Sequence, residues 1–234
     1  MRESNDELHA NGGSSVLKQE ILNRIRRTGI IPVLRALSAE EALAIVEAIS
    51  AGGIDVIEVT MTVPRAIDII RKLRTIRTDL LIGAGTVLDP ETARNCMLEG
   101  AQFIVTPITN VATIEMCQKH SIAVFPGALT PTEIFTAWQA GGDAIKVFPA
   151  SAMGGAPYLR SLKAPLPQIE LIPTGGVSMA TAADFLRAGA FALGVGADLC
   201  DSSAIAEGEP ERITQNARQY LQIIAAFRVG WGVT

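Results

Sequence analysis

The sequence predicts an α/β fold, a single (β/α)8 TIM barrel with an extra N-terminal helix. Eight short, β-prone apolar runs recur along the chain, each followed by a helical or near-helical segment, in a cycle of about 20 to 28 residues. The runs are continuously apolar, the pattern of parallel strands covered by helices on both faces. No G-x-G-x-x-G follows the first run, which argues against an open dinucleotide-binding sheet. No Pro/Gly/Ser-rich linker divides the chain, so residues 15–234 are expected to form one domain.

Residues 1–14 are polar, lack an apolar signal core and read as a flexible tail. Residues 16–28 carry Ile21, Leu22 and Ile25 at helical spacing and stop at Gly29, which predicts the leading helix. The first strand is Ile30-Ile31-Pro32-Val33-Leu34, with Arg35 at its end. Ser38 opens a helix with Glu41 at the capping-box position, and Gly52-Gly53 closes it. The later runs are 54–59, 80–84, 102–106, 122–125, 143–148, 169–173 and 190–195. Helices are expected at 64–77, 90–99, 110–119, 131–140, 156–163 and 178–188, and a last one near 210–227.

Of the 234 residues, 48% are hydrophobic and 19% charged, with a formal net charge of −4. Such a chain can bury a large core. Its mild acidity offers no broad basic surface for nucleic acid, and no apolar stretch reaches transmembrane length. Cys96, Cys117 and Cys200 are odd in number and far apart, so reduced thiols in a cytoplasmic protein are expected rather than disulfides. The two histidines are His9 in the tail and His120 at an expected helix end, which leaves no basis for histidine-rich metal chemistry. No metal and no cofactor are expected.

In a βα barrel the reactive groups sit at the C-terminal ends of the strands. Here those ends read Arg35, Glu58, Thr86, Thr106 with Pro107, Pro126-Gly127, Lys146 with Phe148, Thr174-Gly175-Gly176, and Gly196-Ala197. Lys146 lies inside the apolar run Ala144-Ile145-Lys146-Val147-Phe148. A buried ammonium is costly unless it finds a carboxylate or loses its proton, and a neutral amine there is a nucleophile for a carbonyl. The alternative is a lysine that lays its stem along the sheet and keeps its head in water. Glu58 is the second charge embedded in an apolar strand. It suits a general acid/base facing the amine, or a structural ion pair with Lys146 or Arg35. The glycine pairs after the seventh and eighth runs let backbone N–H groups approach an anion, with a helix N-terminus behind them; otherwise they are tight turns. A cation, an acid, an amine and a phosphate cradle at one mouth point to a small-molecule substrate with two anionic ends and a carbonyl between. The chemistry is then an aldol cleavage without a metal.

At these residues the chain resembles the bacterial 2-dehydro-3-deoxy-phosphogluconate (KDPG) aldolases, the class I family shared with 4-hydroxy-2-oxoglutarate (KHG) aldolase. The matching segments are Val33-Leu34-Arg35, Ala51-Gly52-Gly53, Ile57-Glu58-Val59-Thr60, Gly83-Ala84-Gly85-Thr86-Val87, Gly100-Ala101-Gln102-Phe103, Ile145-Lys146-Val147-Phe148-Pro149-Ala150 and Pro173-Thr174-Gly175-Gly176-Val177. The resemblance implies a (β/α)8 barrel, usually a homotrimer, that cleaves the phosphorylated sugar acid to pyruvate and glyceraldehyde 3-phosphate. Cleavage of 4-hydroxy-2-oxoglutarate to pyruvate and glyoxylate is the related activity. It makes Lys146 the Schiff-base lysine and Glu58 the general acid/base. It puts Thr86 near the pyruvate carboxylate, Thr174 near the substrate hydroxyls, and Gly175-Gly176 at the phosphate.

The chain departs from the family pattern at two positions. Thr62 stands where many members have an arginine four residues after the glutamate, so Arg35 is expected to supply the carboxylate-binding cation. Ala197 stands where some members have a serine, leaving only its backbone N–H for phosphate. Arg35 and the Phe135-Thr136-Ala137 helix resemble the enzymes acting on the galactonate epimer, 2-dehydro-3-deoxy-6-phosphogalactonate (KDPGal). A phosphate-binding isomerase or epimerase using Glu58 and Lys146 only for proton transfer is the more distant alternative, and a non-catalytic sugar-phosphate binding module ranks below it.

Overall fold

Parallel strands and helices alternate along the computed structural model, which describes residues 6–231. The helices are α1 (Asp6–Thr28), α2 (Ala39–Ala51), α3 (Ala66–Ile76), α4 (Pro90–Leu98), α5 (Val111–Lys119), α6 (Pro131–Gln139), α7 (Ala156–Lys163), α8 (Met179–Arg187), α9 (Ser202–Ala206) and α10 (Glu211–Trp231). The strands are β1 (Ile30–Leu34), β2 (Val56–Thr60), β3 (Leu81–Gly85), β4 (Phe103–Val105), β5 (Ala123–Phe125), β6 (Gly127–Ala128), β7 (Ile145–Val147), β8 (Leu171–Pro173) and β9 (Leu193–Val195). Of the segment expected to be a tail, residues 6–14 fall within α1, and Met1–Asn5 lie outside the described residues.

The sheet is parallel and curled. Six strands run in the order β5-β4-β3-β2-β1-β9 and three in the order β6-β7-β8. The fifth apolar run, 122–125, forms β5, and Pro126, which has no N–H to give a ladder, separates it from the two-residue strand β6 that follows. The Pro126 carbonyl still accepts from Lys146 N–H at 2.9 Å. At the other junction, single bridges pair Leu171 with Ala190 and Thr174 with Gly194. Several runs are shorter as strands than their apolar length implies. The residues beyond the strand ends leave the ladder for loop contacts: Asp143, for example, turns its carboxylate back to accept Val124 N–H at 2.8 Å. The 3-10 turn Ala150–Met153 and the short helix α9 have no periodic apolar signal and were not expected from the pattern.

Both faces of the strands are buried, as continuous apolar runs require. Leu34, Ile57, Val59, Ile82 and Val147 pack outward against the helices. Ile31, Val56, Leu81, Phe103, Phe125 and Ile172 form a second cluster on the concave side, with Ile21 and Ile25 of α1 inserted into it. Burying one such side chain stabilises the fold by roughly 1.5–3 kcal/mol. The Phe103 and Phe125 rings meet with centroids 5.7 Å apart. Phe103 lies so close to β3 that a Cβ at Gly83 would stand 2.3 Å from its ring.

Local signals start the helices where the sequence places them. Ser38 Oγ accepts Glu41 N–H at 3.1 Å, while Glu41 Oε2 reaches past Ser38 to accept Leu37 N–H at 2.7 Å. Asp89 caps α4 by accepting Thr92 N–H at 2.8 Å, and Thr130 with Glu133 forms the capping box of α6. His120 is the exposed C-cap of α5. These helices set the direction of each strand and bring the strand ends to one mouth.

Candidate active site

Glu58 is the middle residue of β2, with Val33 and Gly83 as its register partners on either side. Lys146 is the middle residue of β7, between Gly127 and Ile172. The concave side of the sheet brings the two together. Lys146 Nζ stands 3.7 Å from Glu58 Oε1, with only 5% and 3% of their side chains exposed. That exposure rules out a lysine head kept in water. The separation is that of an ion pair without a close hydrogen bond, and Glu58 Oε1 is a buried oxygen with no hydrogen-bond partner among the described residues. Burial pushes the Glu58 carboxyl above its ordinary value, while Lys146 and then Arg35 pull it back. The Lys146 ammonium also lies 5.4 Å from the centre of the Phe148 ring.

Space for the carboxylate comes from the next strand. A Cβ at Gly85 would stand 1.9 Å from Glu58 Oε1, so any side chain there would displace the acid. Thr86 follows with φ +57°, a left-handed conformation that costs a β-branched residue about 1–3 kcal/mol. Strain of that kind concentrates at functional sites.

A cavity of about 240 Å³ adjoins the pair. Val33, the register partner of Glu58, and Phe148, two residues after Lys146, both line it. So do Arg35, Thr174, Gly175, Gly176, Val177, Gly194, Gly196, Ala197 and Asp198. Seven of the residues expected at the strand ends therefore share one wall. Thr174 is held against β9 because Gly194 has no side chain: a Cβ there would meet Thr174 Oγ1 at 2.1 Å. Gly175 and Gly176 adopt φ +87° and +76°, the left-handed turn in which successive N–H groups can converge on an anion. The turn is braced from behind, where Ala150 N–H donates to Thr174 O at 2.9 Å and Ser151 N–H to Gly175 O at 3.1 Å. Arg35 is exposed, forms no ion pair among the described residues, and also lines an adjoining hollow with Cys200 and Asp201.

Other strand-end residues also bond or pack against the backbone. Thr106 is 1% exposed, and its hydroxyl donates to Ile108 O at 2.5 Å and accepts Gly127 N–H at 3.2 Å. Pro107 lies under Gly127, where a Cβ would come within 2.3 Å of its carbonyl carbon. Both are expected from the sequence to touch substrate, and both also join the β4 loop to β6. Thr62 bonds Thr60 Oγ1 at 2.7 Å, and Thr60 Oγ1 also donates to Leu34 O at 2.8 Å. Val177 and Asp198 line the cavity but have no role assigned from the sequence; Asp198 directly follows the Gly196-Ala197 turn, the one signal that marks it.

Fold and site together define an enzyme of the lyase class on a curled parallel α/β sheet. A family model for KDPG and KHG aldolase matches residues 21–216. The chain belongs to that family. It is 36% identical to the 2-dehydro-3-deoxy-phosphogluconate aldolase of Haemophilus influenzae, over 74% of this chain and 81% of that one. It is 35% identical to the 2-dehydro-3-deoxy-6-phosphogalactonate aldolase of Escherichia coli, over 85% and 94%. Among solved structures it resembles KDPG aldolase from Legionella pneumophila, captured with pyruvate as a covalent carbinolamine, at a TM-score of 0.79 and 31% identity over 85% and 96% of the two chains.

Proposed function

We propose that this chain is a class I aldolase that cleaves 2-dehydro-3-deoxy-6-phosphogluconate to pyruvate and glyceraldehyde 3-phosphate. The observation that carries the reading is the buried Lys146–Glu58 pair, 3.7 Å apart beside a glycine-walled cavity. The Lys146 amine adds to the C2 carbonyl, and loss of water leaves an iminium. Glu58 accepts the C4 hydroxyl proton as the C3–C4 bond breaks and its electron pair moves toward the iminium nitrogen, leaving an enamine. The aldehyde departs with the phosphate. Protonation of C3 and attack by water then release pyruvate and restore the amine.

In this reading the Gly175-Gly176 turn, with Gly196 and the Ala197 backbone, receives the phosphate, and Thr174 meets the substrate hydroxyls. Arg35 and Thr86 serve the carboxylate end. The two hydrogen-bonded sheets are then one closed (β/α)8 barrel, supported by the bridges from β8 to β9 and by the Pro126–Lys146 bond across the β5–β6 break. Residues 15–234 act as one domain, and the chain works as a homotrimer. The exposed apolar side chains Leu88, Ile108, Val111, Phe135 and Trp138 fit an assembling protein. No helix among the described residues is long and apolar enough to cross a membrane. The three buried free thiols fit a cytoplasmic setting.

The deciding experiment is borohydride trapping with pyruvate, read by intact mass. A three-carbon adduct is expected on the wild type and is expected to vanish in Lys146→Ala. An adduct that fails to form, or persists in the variant, refutes the mechanism. Likeness to the galactonate relative makes the epimer the second reading, and parallel assays of both epimers and of 4-hydroxy-2-oxoglutarate separate them.

A further inference from the structure

Two charged residues line the cavity beside the glycine turn, and their signs are opposite: Arg35 and Asp198. Arg35 suits an anionic substrate, whereas Asp198 opposes one. Asp198 is exposed in the loop after β9, and its Oδ2 is held by two donors. One is the phenol of Tyr220, a wholly buried residue of α10; the other is Met179 N–H in the first turn of α8, at 3.3 Å. The carboxylate is thus fixed at the start of the helix that follows the glycine turn, where the helix dipole would favour an incoming anion.

The retro-aldol step has no use for this acid, since its proton carrier is Glu58. The helix start has other support as well, because Ser178 N–H already donates to Thr181 Oγ1 at 2.9 Å. A neutral side chain could bond Tyr220 and Met179 equally well. What the carboxylate adds is charge, on a residue that lines the same cavity as the Gly175-Gly176 turn.

We propose that Asp198 is a specificity-determining residue whose carboxylate weakens binding of the phosphorylated end of the substrate, lowering the preference for phosphorylated over unphosphorylated 2-oxo acids. The inference rests on the aldolase reading above. The phosphate leaves with the aldehyde, so contacts it makes equally in substrate, transition state and product hold the product without speeding the chemistry. A fixed, solvent-screened charge near such an anion changes its affinity by about three- to tenfold.

Asp198→Asn keeps the oxygen that Tyr220 and Met179 bond and removes the charge. The two readouts are the inhibition constant of inorganic phosphate against cleavage, and the pyruvate concentration giving half-maximal borohydride trapping. The ratio of the first to the second should fall about three- to tenfold in the variant. Tyr220→Phe removes the phenol and keeps the charge, and it should move the ratio less than about twofold. An unchanged ratio in Asp198→Asn, or an equal change in Tyr220→Phe, overturns the proposal. A wild type that traps no pyruvate overturns the aldolase reading and this proposal with it; one that traps pyruvate while the Asn variant keeps its ratio overturns this proposal alone.

Discussion

Lys146 of β7 and Glu58 of β2 meet across the concave side of the sheet, 3.7 Å apart and almost wholly buried. As a source of stability such a pair is poor, because taking each ion out of water costs several kcal/mol, on the order of what their attraction returns. Two apolar side chains would hold the sheet together as well. In the proposed reaction the pair is an amine with a proton carrier beside it.

Glu58→Gln tests that division of labour. The amide cannot carry the C4 proton, so kcat for cleavage should fall by about 10²–10⁴-fold. Lys146 remains, so pyruvate should still be trapped by borohydride, more slowly than in the wild type. Full cleavage activity in Glu58→Gln would remove the acid from the mechanism.

The same carboxyl has a signature in stability. Burial raises the folded-state value of Glu58 above the ordinary 4.5 of the unfolded chain. Between those two values the folded protein holds a proton that the unfolded chain has released. Stability from this group is therefore full below about 4.5 and declines as pH rises through the folded value. Urea unfolding of wild type and Glu58→Gln from about pH 4 to pH 8 should show the wild type losing ground to the variant as pH rises. A flat or opposite trend contradicts the burial argument.

Gly85→Ala should act on the site through space. Its Cβ would stand 1.9 Å from Glu58 Oε1, with no room to coexist, so Glu58 must leave its place opposite Lys146. Overpacking of this kind costs about 1–3 kcal/mol of stability. Cleavage should fall at least as far as in Glu58→Gln, while the variant still unfolds cooperatively in a thermal melt. Near-normal cleavage would mean that the position of Glu58 is not critical.

The thiols should be inert in the folded state. Burial pushes Cys96 up to about 11 and Cys117 up to about 12, and it raises Cys200 further. Since the thiolate is the reactive form, iodoacetamide at about pH 8 should modify none of the three in the native protein and all of them in urea, counted by mass. Rapid labelling of the native protein would contradict the burial of these sites.

Most of the architecture is legible in the chain itself because its signals are local. Ser38, Asp89 and Thr130 each cap a helix by accepting the N–H three residues on, and the apolar runs carry the period of a strand buried on both faces. The same reading picks out Lys146 and Glu58, since a charge inside an apolar strand is anomalous wherever the strand lies. It fails where a residue's task depends on a distant partner. Neither the bond that β6 brings to Thr106 from Gly127 N–H nor the one that α10 brings to Asp198 from Tyr220 has a local signal.

By itself, then, the sequence determined the order of strands and helices, the glycine turns, and the two charges that the core must accommodate. The tertiary structure alone decided that those charges stand 3.7 Å apart, that Gly85 makes room for one of them, and that Arg35 and Asp198 share a cavity. Propensity, capping and apolar period act within a few residues, whereas the distance between β2 and β7 depends on how the whole sheet curls around its packed interior.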